Sequence, residues 1–134
     1  MKISESIKQT YAYQYAEEVL SEGDDNVRFC KWIKMAAQRF MGDLQREDLV
    51  FDLQWVDAIT IFFEEVLYVP ELGRPSKLPL PAAFWWQQFY GFRYKETGQR
   101  RFREFLLEVD RKNAKTFYAA GVSLFDLWIL IFSR

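Results

Sequence analysis

Histidine is absent from the 134-residue chain, which removes His-based triads, histidine general bases and histidine-ligated metals. There is one cysteine, Cys30, so no internal disulfide can form and a reducing compartment is expected. Set among apolar helical positions, Cys30 reads as a small buried hydrophobe rather than a nucleophile. Neither sign of charge dominates. With 18 basic and 19 acidic residues the net charge is −1, so nothing pulls the whole chain toward nucleic acid or membrane. The opening MKISESIKQT lacks the apolar segment of a secretory signal. Repeats and low-complexity tracts are missing too.

What is present is apolar and aromatic: half the residues are hydrophobic and 19% aromatic, enough for one domain with a real core. The spacing predicts a lead of three helices over 1–69. The first spans Glu5–Leu20, with Ile7, Tyr11, Tyr15 and Val19 near one stripe and Gly23 ending it. The second spans Asn26–Leu44, with Cys30, Ile33, Ala37, Phe40 and Leu44 inside and Arg28, Lys31, Lys34 and Arg39 on the wet side. The third follows Asp52 and buries Ile59, Phe62, Phe63, Val66 and Leu67; Glu64 and Glu65, adjacent on a helix, do not make an acid/base pair. All four prolines, Pro70, Pro75, Pro79 and Pro81, fall in 70–83, which reads as a linker.

The remainder, 84–134, starts with the aromatic peak Phe84–Phe92, expected to be helical to Gly91 and to form core rather than stack on bases. A turn around Gly98 leads to Arg100, Arg101 and Arg103, and Phe105–Val109 reads as a buried strand. Phe117–Phe132 is nearly continuous apolar sequence carrying Asp126; it is short for a membrane span and fits a helix buried on most sides. Between strand and helix, Asp110–Thr116 forms a polar loop ending in Lys115-Thr116. That is the plan of a phosphate-binding loop, although Val109 and Ala114 occupy the two glycine positions of its usual pattern.

The order of these features resembles the N-terminal part of the phage terminase large subunit, the ATP-driven motor and nuclease of viral DNA packaging. The resemblance runs from Tyr11 to about Leu130. It rests on Phe51-Asp52, on Gly73-Arg74-Pro75-Ser76-Lys77-Leu78, on Phe84 with Gly91-Phe92, and on Gly98-Gln99-Arg100-Arg101-Phe102-Arg103. It continues through Glu108-Val109-Asp110-Arg111-Lys112-Asn113-Ala114-Lys115-Thr116 to Ala119-Ala120-Gly121. It implies a mainly α fold: a helical lead followed by one strand–phosphate loop–helix unit of an incomplete P-loop-type α/β ATPase. It implies that ATP and Mg²⁺ are the cofactors, with Lys115 on phosphate, Thr116 on Mg²⁺, and Arg111 or Lys112 as the catalytic cation on the γ-phosphate. Asn113 and Ala114 count with them as nucleotide-binding positions. The family's adenine-reading glutamine falls on Ala82. The implied partners are double-stranded viral DNA, the small terminase subunit and the portal, in the cytoplasm of a bacterial host. Because the sequence ends before a second acidic strand, the chain is expected not to turn over ATP alone and to self-associate through Phe105–Val109 and the last helix. The alternative is a stand-alone, non-catalytic interaction protein derived from such a subunit.

Overall fold

The computed structural model describes residues 3–22, 28–68, 73–75, 77–108 and 115–132. The fold is mainly helical, with a small two-stranded sheet. Ser4 caps α1 (Glu5–Lys8), and its hydroxyl accepts from the Ile7 N–H at 3.3 Å. Thr10 then caps α2 (Tyr11–Ser21) by accepting from the Tyr13 N–H, also at 3.3 Å. This cap breaks the expected first helix in two, since Thr10 takes extended backbone to present its oxygen. Tyr15 and Val19 are buried as expected, together with Ala12 and Ala16.

Helix α3 (Lys31–Leu44) buries Ala37, Phe40 and Asp43. Cys30 stands at its N-cap and is exposed, so the expectation of a buried thiol is corrected: the helix begins one residue too late to turn it inward. Strand β1 (Leu49–Phe51) precedes α4 (Leu53–Ile61), whose cap Asp52 accepts from the Gln54 N–H at 3.0 Å. At its end the helix widens into a π-turn, Phe62–Val66, closed by the Leu67 N–H donating to the Phe62 carbonyl at 2.9 Å. Phe62 and Phe63 are both buried, as anticipated; Val66 is exposed because the wide turn rotates it away from the core.

Helix α5 (Leu80–Gly91) starts earlier than the prolines suggested. Pro81 sits in its first turn, where the missing N–H costs no intrahelical bond. Nine of its twelve residues are buried, making it the central element of the fold. On one side Phe84 meets Tyr15 and Phe40 (ring centroids 5.2 and 5.7 Å apart), beside Phe51 and Phe92. On the other, Trp86, Phe89 and Tyr90 pack with Phe62 and Phe63 and with Tyr118 and Phe125 of α6 (Lys115–Phe132).

Strand β2 (Phe92–Tyr94) pairs antiparallel with β1 in the register Leu49↔Tyr94, Val50↔Arg93, Phe51↔Phe92. After a turn at Gly98 (φ 71°) the chain returns along β2, where the Arg101 N–H donates to the Phe92 carbonyl at 3.0 Å. The expected strand does not form in the described residues 102–108. Its side chains are held on α5 instead: Phe105 stacks on Trp86 at 4.5 Å, whereas Leu106 is 83% exposed. Nor is α6 buried on most sides: Tyr118, Gly121 and Phe125 face the core, and Leu124, Leu127, Trp128 and Ile131 are exposed. One packing face is all that α4, α5 and the π-turn offer it. Val109 and the loop 110–114 lie outside the described residues.

Close packing where α5 hands over to β2 depends on Gly91. A Cβ there would lie 2.6 Å from Val56 Cγ2 and 2.8 Å from Phe51 Cε1, both on buried side chains. Gly91→Ala is therefore expected to destabilise the fold by about 1–3 kcal/mol through overpacking. Urea unfolding measures it, and an unchanged midpoint would contradict this packing.

Candidate functional site

The cations of the Gly98–Arg103 run separate by role. Arg101 turns inward and pairs with the buried Asp43 of α3, its Nε 3.1 Å from Oδ2 and its Nη2 3.3 Å from Oδ1. This two-pronged pair ties the returning segment to the lead helices. Arg100 and Arg103 face the opposite way, into a cleft of about 400 Å³ between 100–107 and α6. Arg100 lies over the Phe89 and Tyr90 rings at 5.1 and 5.5 Å, and Arg103 donates to Gln99 Oε1 at 3.0 Å.

Lys115 enters the same cleft from the first turn of α6. Trp86, Phe89 and Phe105 form an aromatic wall, and Asp126 is the carboxylate in the lining. That carboxylate is engaged: the Tyr90 hydroxyl donates to Asp126 Oδ1 at 2.6 Å. Three cations and an apolar wall suit an oxyanion attached to a larger group. Within that wall the Trp86 Nε1–H is buried and has no acceptor among the described residues.

Of the expected site residues, Lys115 and Thr116 are described, and both are exposed at the start of α6. Arg111, Lys112, Asn113 and Ala114 lie outside the described residues. Polyphosphate fits the cations in the cleft. The fit to Mg²⁺ is not matched: Thr116 offers one hydroxyl, and no group of three metal-ligating side chains occurs among the described residues. Ala82 is buried at 2% exposure, so the position of the family's base-reading glutamine faces core.

The sequence reading missed three polar roles. Gln87, inside the aromatic run, accepts from the Ala12 N–H and donates to Thr60 Oγ1, each at 2.8 Å. Glu64 accepts from the Tyr11 hydroxyl at 3.2 Å and from the Leu78 N–H at 2.9 Å, so it clamps α2 to the entry of α5. Asp43 anchors Arg101. A glutamine amid aromatics is a signal of such a buried bond; the other two left no trace in spacing.

Comparison with known proteins finds nothing similar: no family model, no curated protein and no solved structure matches the chain. Among the described residues no helix is long and apolar enough to cross a membrane.

Two consequences can be measured. Arg101→Ala leaves buried Asp43 with Arg46 Nη1, 3.9 Å away, as its ion-pair partner among the described residues and should cost about 3 kcal/mol, whereas exposed Arg103→Ala should stay within about 0.5 kcal/mol. Equal effects in chemical denaturation would refute the division of roles. Burial first, then the bond to Asp126, pushes the Tyr90 phenol well above its ordinary 10.0. Its contribution is therefore complete below pH 10.0 and is lost at higher pH, as unfolded tyrosines ionise and the native one does not. Stability should fall above that pH, and less steeply in Tyr90→Phe; identical alkaline limbs would contradict it. Tyr11, Tyr15 and Tyr118 are also raised, so some slope remains.

Proposed function

We propose that this chain is the helical lead and the start of the nucleotide-binding region of a terminase-like DNA-packaging ATPase, and that its cleft holds the polyphosphate of ATP. One observation carries the reading. Gly98–Arg103 and the end of Glu108–Thr116, stretches of the most specific part of the resemblance, are separate in sequence, yet Arg100, Arg103 and Lys115 line a single cleft. Nothing in their spacing required that.

The chemistry follows from the side chains. Arg100 and Arg103 neutralise phosphate oxygens from one wall, and Lys115 does so from the N-terminal turn of α6. Arg111 or Lys112 adds charge at the γ-phosphate. ATP would supply a phosphoryl group; Thr116, the hydroxyl that the resemblance gives to Mg²⁺, is not among the residues lining the cleft, so no step is assigned to the metal. Among the described residues the cleft's carboxylate is Asp126, already bonded to Tyr90, so binding without turnover is the expected behaviour of the chain alone. Double-stranded viral DNA, the small subunit and the portal are the partners of the larger assembly in this reading.

A second reading, a non-catalytic interaction protein of the same origin, draws on Ala82 in the core and on the exposed stripe Leu124, Leu127, Trp128 and Ile131. These residues recur at three- and four-residue spacing, suited to helix pairing and to self-association.

Titration with ATP and with inorganic tripolyphosphate, followed by tryptophan fluorescence, separates the two. The first reading expects both ligands to bind, salt to weaken them, and Lys115→Ala or Arg103→Ala to reduce affinity about tenfold each. Ligand-independent fluorescence in the unmodified chain would remove the nucleotide role and leave the second reading.

A further inference from the structure

A second concavity lies across the aromatic wall. It has a volume of about 670 Å³, between α3, α5 and the returning segment 102–106. Phe89 and Phe105 line both hollows, so the wall has the cationic cleft on one side and this groove on the other. The floor is apolar: Ile33, Ala36, Phe84 and Phe102. Its two rims carry large apolar side chains in solvent, Trp32 at 65% exposure and Leu106 at 83%.

The charge beside this groove is one-sided on the α3 rim. Helix α3 carries Lys31, Lys34 and Arg39, and its only acid, Asp43, is buried and bonded to Arg101. The Lys31 ammonium lies 4.6 Å from the Trp32 ring and the Arg39 guanidinium 5.4 Å from the Phe102 ring, so cations edge the apolar surface itself. Glu104 is the acid in the lining, on the opposite rim.

We propose that this groove docks an acidic amphipathic helix of a partner protein, with apolar side chains on Phe84 and Phe102 and carboxylates facing Lys31 and Arg39. The apolar floor and the cationic edge are what a helix-in-groove contact requires. A nucleic-acid strand fits less well. It needs cations repeated along its backbone, whereas Arg39 is the cation in the lining. A second copy fits less well through α6, because the acid on that helix, Asp126, is bonded to Tyr90. The groove is independent of the polyphosphate reading.

The test uses the full chain and three fluorescein-labelled probes read by anisotropy: an amphipathic helical peptide with a Leu/Phe face and a Glu face, its twin with Lys replacing Glu, and oligo-dT. The acidic peptide is expected to bind, with Trp32→Ala and Leu106→Asp each weakening it about tenfold and Arg39→Glu doing the same. Trp32 and Leu106 are exposed, so these variants keep the fold, and unchanged far-ultraviolet circular dichroism and urea midpoints serve as the control. Equal binding of both peptides, preference for the Lys-faced twin or for oligo-dT, or no binding of the acidic peptide would overturn the proposal.

Discussion

The buried amide of Gln87 is the constraint on which the rest of the structure depends. It lies on the helix with the least access to solvent and reaches two other helices at once. The Ala12 N–H belongs to the first turn of α2, where a helix has donors without internal acceptors. Gln87 satisfies that donor and donates in turn to Thr60 of α4. An apolar residue of the same size would leave a buried N–H unpaired, a loss of about 1–3 kcal/mol. Aromatic contacts alone fix α5 weakly in rotation, because rings of similar size can exchange places. The two bonds of Gln87 define which face of α5 meets α2 and α4. They thereby set where Phe84, Trp86 and Phe89 point.

Orientation of α5 in turn defines both hollows. Trp86 and Phe89 form the wall against which Phe105 lies, and that stack holds a segment that pairs with no strand among the described residues. Arg101 secures the start of the segment through Asp43, leaving Arg100 and Arg103 to face α6. Helix α6 approaches because Gly121 admits Phe63 and Leu67, whose atoms would stand 2.6 and 2.7 Å from an added Cβ. Each step is ordinary packing, and together they bring cations from two parts of the chain to one cleft. The groove on the far side of the wall arises from the same geometry.

Much of the helical architecture was legible in the sequence. Phe40, Ile59, Phe62 and Phe63 follow helical spacing, and the aromatic peak reads as core for the simple reason that it lacks flanking cations. Other features were not legible, each for a physical reason. Thr10 interrupts a helix by capping within an unbroken stripe. The sheet pairs residues more than forty positions apart, and three-residue strands carry too little alternation to register. Phe105–Val109 has the composition of a strand, but composition does not supply a neighbouring edge. Of the site, Lys115 was legible from its position before an apolar helix. The facing of Arg100 and Arg103, as against Arg101, was not, since adjacent arginines differ only in which side of the segment they leave.

The most direct test of the central claim is a crystal structure of the chain with a non-hydrolysable ATP analogue. The account predicts phosphate oxygens within hydrogen-bonding distance of Lys115 and of Arg100 or Arg103, with the wall of Trp86, Phe89 and Phe105 beside them. An analogue bound elsewhere, with those three cations facing solvent, would contradict it.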